Sequence, residues 1–120
     1  MHRLRLILFL VLLSLAVVSA DSKSHSVNED SALNLLFQAI QRGHVYDKRI
    51  SLDCIALETQ EVTRIYFEIV VREKHNKKCG GDPDFSPVID RYRVRRASGG
   101  IEWFNVVQDA WQNYVPAKVK

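Results

Sequence analysis

The chain has 120 residues, with 17 Lys and Arg against 14 Asp and Glu, a formal net charge of +3. That excess is too small for a general affinity toward nucleic acid, which needs a concentrated basic patch. With only two cysteines and no C-x-x-C, G-x-S-x-G or Gly-rich phosphate loop, the common metal, serine-hydrolase and nucleotide designs are set aside, and neither cofactor nor metal is expected.

Residues 1–20 read as a secretory signal. Met1-His2-Arg3-Leu4-Arg5 is a positive start, Leu6–Val18 is apolar except for Ser14, and Val18-Ser19-Ala20 offers small residues before a cut after Ala20. The apolar run is shorter than the about 20 residues a spanning helix needs, and the polar stretch Asp21–Ser26 follows it. Cleavage removes Arg3 and Arg5 and leaves 15 basic against 14 acidic side chains. Electrostatic function must then come from local patches. The expected location is the periplasm or the exterior, with no membrane span after cleavage.

Residues 21–28 form a polar lead-in. Ser26-x-x-Glu29 has the spacing of a capping box, Glu29 and Asp30 suit the positive end of a helix, and Gly43 suits its stop. Leu33, Leu36, Phe37 and Ile40 recur at i, i+3, i+4, i+7, which predicts a helix over 29–42 with one apolar face.

From Ile50 the period changes. Ile50–Leu57 reads as a short strand carrying Cys54. In 62–73, Ile65, Phe67, Ile69 and Val71 alternate with Arg64, Tyr66, Glu68 and Arg72, as in a half-buried antiparallel strand. Val88–Arg96 reads as a third strand, Ser98-Gly99-Gly100 as a turn and Ile101–Val107 as a fourth strand. Asp109–Tyr114 reads either as a last helical turn or as an edge segment. The expected architecture is α+β: one N-terminal helix packed on a four-stranded antiparallel meander sheet, forming a single domain over 29–116 with a tail at 117–120.

In an exported domain Cys54 and Cys79 read as one disulfide. A tight turn at Thr59-Gln60 would set Cys54 opposite Ile65, far from Cys79. Either the 74–79 segment folds back along the sheet, or Glu58–Val62 is a looser turn that shifts the register.

Two stretches are candidates for recognition. In Cys79-Gly80-Gly81-Asp82-Pro83-Asp84-Phe85-Ser86-Pro87, glycine and proline shape a tethered loop presenting Asp82, Asp84 and Phe85. In the third strand, alternation puts Arg91, Arg93 and Arg95 on one face, suited to carboxylates of an acidic partner or an anionic glycan, or else forming a solvated face in which Glu68 pairs with an arginine. A hydrolase would need two positioned titrating groups, and His75 with Asp82 or Asp84 is the available set. Trp103 and Phe104, as strand neighbours, face opposite sides, and one of them belongs to the core.

The run H-N-K-K-C-G-G-D-P-D-F-S-P-V-I-D-R-Y-R-V (His75–Val94), followed by S-G-G-I-E-W-F (Ser98–Phe104), resembles small exported bacterial proteins sharing a C-G-G-D-P…P-V-I-D-R-x-R-V motif. The resemblance covers most of 50–116 and implies an envelope protein, with no activity attached. The order of helix, meander and R-V-x(4)-G-G-I-E-W is more loosely similar to PepSY-type domains, which implies inhibiting or chaperoning an exported enzyme. The disulfide-bearing loop departs from that pattern, and no functional residue is carried over. The sequence therefore suggests a non-enzymatic binding module with a protein partner in the cell envelope; a small hydrolase and a structural envelope component are the alternatives.

Overall fold

The computed structural model describes residues 25–115; the expected signal, the first half of the lead-in (21–24), Pro116 and the 117–120 tail lie outside them. The elements are α1 (Glu29–Arg42), a 3-10 turn at Leu52–Cys54, β1 (Ile55–Val62), β2 (Tyr66–Glu73), β3 (Val88–Arg95), β4 (Ile101–Asn105) and β5 (Ala110–Asn113). The strands form one antiparallel sheet in the order β1-β2-β3-β4-β5. The sheet therefore has five strands rather than four. The extra one arises because β4 ends at Asn105, whose side chain accepts hydrogen bonds from the Val107 and Gln108 amides and turns the chain back. The 109–114 stretch is thus an edge strand, not a helical turn. No helix of the described residues is long and apolar enough to cross a membrane.

The bounds of α1 match the apolar periodicity, but its cap is not the one the capping box implied. Asn28, not Ser26, accepts the hydrogen bond from the Ser31 amide (2.8 Å). The reason lies one residue earlier: the Val27 amide donates to the Arg96 carbonyl (2.8 Å), which ties the incoming chain to the end of β3. At the other end Gly43 keeps φ at −80°, and the left-handed residue is His44 (φ 50°). Gly43 is instead needed for space, because a Cβ there would collide with the Tyr114 hydroxyl, which donates to the Ala39 carbonyl (3.3 Å).

The buried stripe of α1 is Ala32, Leu36 and Ile40, with Leu33 packed at its margin and Phe37 half-buried outside the core cluster. It meets Phe67, Ile69 and Val71 of β2 and Tyr92 and Val94 of β3. Each such side chain contributes about 1.5–3 kcal/mol on burial. Ile65, expected on the same face, is 60% exposed because it lies in the β1–β2 turn.

That turn settles the register around the disulfide. It falls at Thr63–Ile65, beyond Thr59-Gln60, where the Thr63 hydroxyl oxygen accepts from the Ile65 and Tyr66 amides (3.1 and 3.0 Å). The register shift between Thr59 and Glu61 leaves Gln60 in a bulge. Ile55 then pairs with Glu73, and the Lys74 amide donates to the Cys54 carbonyl (2.7 Å). Beyond Lys74 the chain folds back at Asn76–Gly80, Asn76 accepting from the Cys79 amide (2.8 Å), and the Cys54–Cys79 bond closes with a Cα separation of 5.6 Å. Of the two routes left open by the sequence, the fold-back after Lys74 is the one taken; Glu58–Val62 is not a turn but part of β1, and the register shifts through the bulge at Gln60 instead.

Candidate functional site

The helix covers one face of the sheet, and strand alternation assigns the other. Pairing of Tyr66 with Arg95, Glu68 with Arg93 and Val70 with Arg91 puts all six on the face away from α1. Glu102 pairs with Arg93 from β4, and Phe104 pairs with Trp111 between β4 and β5, extending that face. Trp103, of opposite parity, packs against the core. Arg91, Arg93 and Arg95 thus share a face as expected, but they do not do the same thing there.

Arg93 is the most enclosed of the three, its side chain 23% exposed. Its guanidinium lies 4.1 Å from the Tyr66 ring centroid and 3.9 Å from that of Trp111, a cation held between two π systems. One nitrogen reaches Glu68 at 3.4 Å, while Nε is buried without a partner. Glu68, itself buried, is also 3.7 Å from Arg91, and Arg95 reaches Glu102 at 2.8 Å. Arg91 and Arg95 remain about half exposed (51% and 50%) and keep N–H groups for other acceptors. Phe104 and Trp111, 5.2 Å apart between centroids, lie half-buried beside them.

The loop is attached to this face through Arg72. Its Nε donates to Glu58 on β1 (2.7 Å) and its Nη1 to the Ser86 carbonyl (2.9 Å). The Ser86 hydroxyl donates to the Glu73 carbonyl (2.7 Å), and the Glu73 amide to the Pro87 carbonyl (3.0 Å). Asp82 uses its carboxylate to accept from the Asp84 amide (2.9 Å), an Asx turn, and its carbonyl accepts from the Phe85 amide (3.1 Å). Asp82, Asp84 and Phe85 are all exposed, Phe85 at 62%.

His75 contacts the main-chain oxygen of Asp82, not its carboxylate. Nδ1 donates to that oxygen (2.8 Å) and Nε2 to the Glu73 carboxylate (3.0 Å). Both nitrogens face acceptors, so the doubly protonated ring is favoured. The Glu73 carboxylate first, and the Asp82 carbonyl second, hold the His75 pKa above its ordinary value. The ring also lies against Gly81, whose φ of 82° and missing Cβ let it approach. Lys78 similarly holds the Asp53 carboxyl below its usual range through a 3.0 Å hydrogen bond beside the disulfide.

One polar cluster went unassigned at the sequence level. The Tyr46 hydroxyl donates to Asp90 (2.7 Å) and lies 2.9 Å from the Tyr92 hydroxyl, so the protons run Tyr92 to Tyr46 to Asp90. Burial chiefly, then the neighbouring Tyr92 and Asp90, push the Tyr46 phenol far above its normal range; burial pushes Tyr92 up to about 12. The signal was present in the strand pattern. Asp90 shares the parity of Tyr92 and Val94, so the alternation that turns the arginines outward turns this carboxylate toward the helix.

Comparison of the chain with protein-family models, with curated proteins and with solved structures finds no match.

Proposed function

We propose that the chain is an exported, non-enzymatic binding module of the bacterial envelope that recognises a protein partner through the outer sheet face, as an inhibitor of or accessory to an exported enzyme. The observation that carries this reading is the character of that face. Among the described residues no helix packs on it, and it presents half-exposed Arg91 and Arg95 beside Phe104 and Trp111. Arginine and aromatic side chains are the residue types that protein interfaces favour. The partner surface that fits is acidic, because guanidinium forks match carboxylates. The Asp82–Phe85 loop, braced to the same face through Arg72, adds an exposed phenylalanine at its margin. The C-G-G-D-P…P-V-I-D-R-x-R-V resemblance supports the envelope setting, and the PepSY-like arrangement supports the inhibitor or accessory role. A hydrolase built on His75 with Asp82 or Asp84 draws less support, since His75 donates to a backbone carbonyl and the Asp82 carboxylate closes a turn.

The test is capture from an envelope extract by the immobilised protein. Wild type should retain a defined partner, and Arg91→Ser with Arg95→Ser should lose it while folding normally. An unchanged set of captured proteins would overturn the reading. Arg93 is left intact, because its removal would disturb the sheet itself.

A further inference from the structure

On the opposite side of the sheet, between the exit of α1, strands β3 and β4 and the segment that follows β5, lies a cavity of about 300 Å³ lined by Val45, Asp90, Tyr92, Trp103, Tyr114 and Val115. It stands at the lower end of the size range of small-molecule pockets, roughly 300–1,000 Å³. We propose that this cavity binds a small organic cation, an alkylammonium or quaternary amine, held by the Asp90 carboxylate and the surrounding aromatic rings. The inference is independent of the outer-face reading, since the two faces share none of these side chains.

Three observations converge on a cation. Asp90 faces the cavity with one oxygen accepting from Tyr46, and it makes no ion pair among the described residues. The walls are aromatic: Tyr92, Trp103 and Tyr114, with the Tyr92 and Tyr114 rings edge to face at 6.3 Å between centroids. A carboxylate and electron-rich rings attract positive charge together and repel an anion. The tyrosine hydroxyls are also already engaged. Tyr92 bonds Tyr46, Tyr46 bonds Asp90, and Tyr114 donates to the Ala39 carbonyl. A polyhydroxylated ligand would therefore find few free polar partners, whereas an alkylated ammonium needs only charge and apolar contact. Arg49 is the cation that acts on Tyr92, and it is exposed at the surface.

The position of the carboxylate argues for use rather than core stability. Asp90 occupies an inward register position opposite Val71, where an apolar residue would pack without desolvating a charge.

The probes are tetramethylammonium and choline, with 3,3-dimethyl-1-butanol as the neutral isostere of choline, read by NMR on the purified oxidised protein. The Trp103 indole N–H should shift saturably with both cations, while Trp111, on the other face, serves as the internal control and stays in place. The neutral isostere should bind at least about tenfold more weakly, equivalent to about 1.4 kcal/mol. Asp90→Asn keeps an acceptor for Tyr46 and should weaken cation binding by a similar factor. Equal binding of the neutral isostere to wild type, equal shifts at Trp111, or no saturable shift at Trp103 would each overturn the proposal.

Discussion

Three arginines that look equivalent along β3 differ widely in what they do, and the difference is set by their neighbours across the sheet. Arg93 lies between the Tyr66 and Trp111 rings and against the buried Glu68 carboxylate. Replacing it with Ala would leave Glu68 buried with only Arg91, 3.7 Å away, to compensate its charge, and would leave two aromatic rings facing a gap. Loss of one partner of an enclosed ion pair is costly, so Arg93→Ala should destabilise the fold by about 2–3 kcal/mol. Arg91→Ser, at a half-exposed position, should cost less than about 1 kcal/mol. Urea denaturation of the two variants measures the difference, and equal midpoints would refute the distinction. The stripe was legible in the sequence because strand alternation is a local property. The ranking within it was not, because it depends on Trp111, which arrives from β5, an element that the sequence left ambiguous. Asp90 illustrates the reverse case: its inward parity is readable, but Tyr46, from the segment after α1, becomes its partner only through the tertiary fold.

At the scale of elements, the periodic segments and the Ser98–Gly100 turn are legible in the sequence, whereas the β1–β2 turn is not. The bounds of α1 and the inward register of Phe67, Ile69 and Val71 follow from the apolar spacing, and β3 ends within a residue of its expected limit. The β1–β2 turn lies at Thr63 and not at Thr59-Gln60, which offers no turn chemistry of its own, whereas the Thr63 hydroxyl oxygen accepts two amides. The sequence marks Cys79–Pro87 as a shaped loop and offers His75 for acid–base chemistry, yet the residue that shapes the segment most directly is His75. Its two nitrogens bracket the loop between Glu73 and Asp82, and this arrangement has a pH signature. A raised folded pKa means that the stabilisation from His75 is complete below its unfolded value, about 6.5. It is then lost as the pH rises through the higher folded value. An NMR titration of His75 should give a midpoint above that of a free histidine, and Glu73→Gln should bring the midpoint down. Amide exchange through 76–85, corrected for intrinsic rates, should quicken once His75 is neutral. A His75 midpoint at or below about 6.5 would remove the argument.

For the whole molecule, the disulfide joins the loop to the start of the sheet. It closes a span of 25 residues that encloses the β1–β2 hairpin, linking the 3-10 turn before β1 to the fold-back after β2. Within the native state the bond therefore adds little that the Cys54–Lys74 hydrogen bond and the β1–β2 ladder have not already arranged. Its larger effect is on the unfolded chain, whose conformational freedom it restricts by about 3–4 kcal/mol for a loop of this length. Against a typical domain stability of about 5–15 kcal/mol that is a substantial share. A Cys54→Ser, Cys79→Ser double variant should keep the five-stranded sheet and the stacked Arg93, because neither depends on the loop for its packing. Its urea midpoint should fall by an amount equivalent to about 3–4 kcal/mol. Chemical-shift changes should concentrate in 51–54 and 74–86 and leave the Trp111 indole where it was. A loss below about 1 kcal/mol would mean that the hairpin already restrains the unfolded chain. Shift changes spreading across β3 to β5 would mean instead that the bond orders the sheet directly, and the separation between a tethered loop and an independent sheet would then fail.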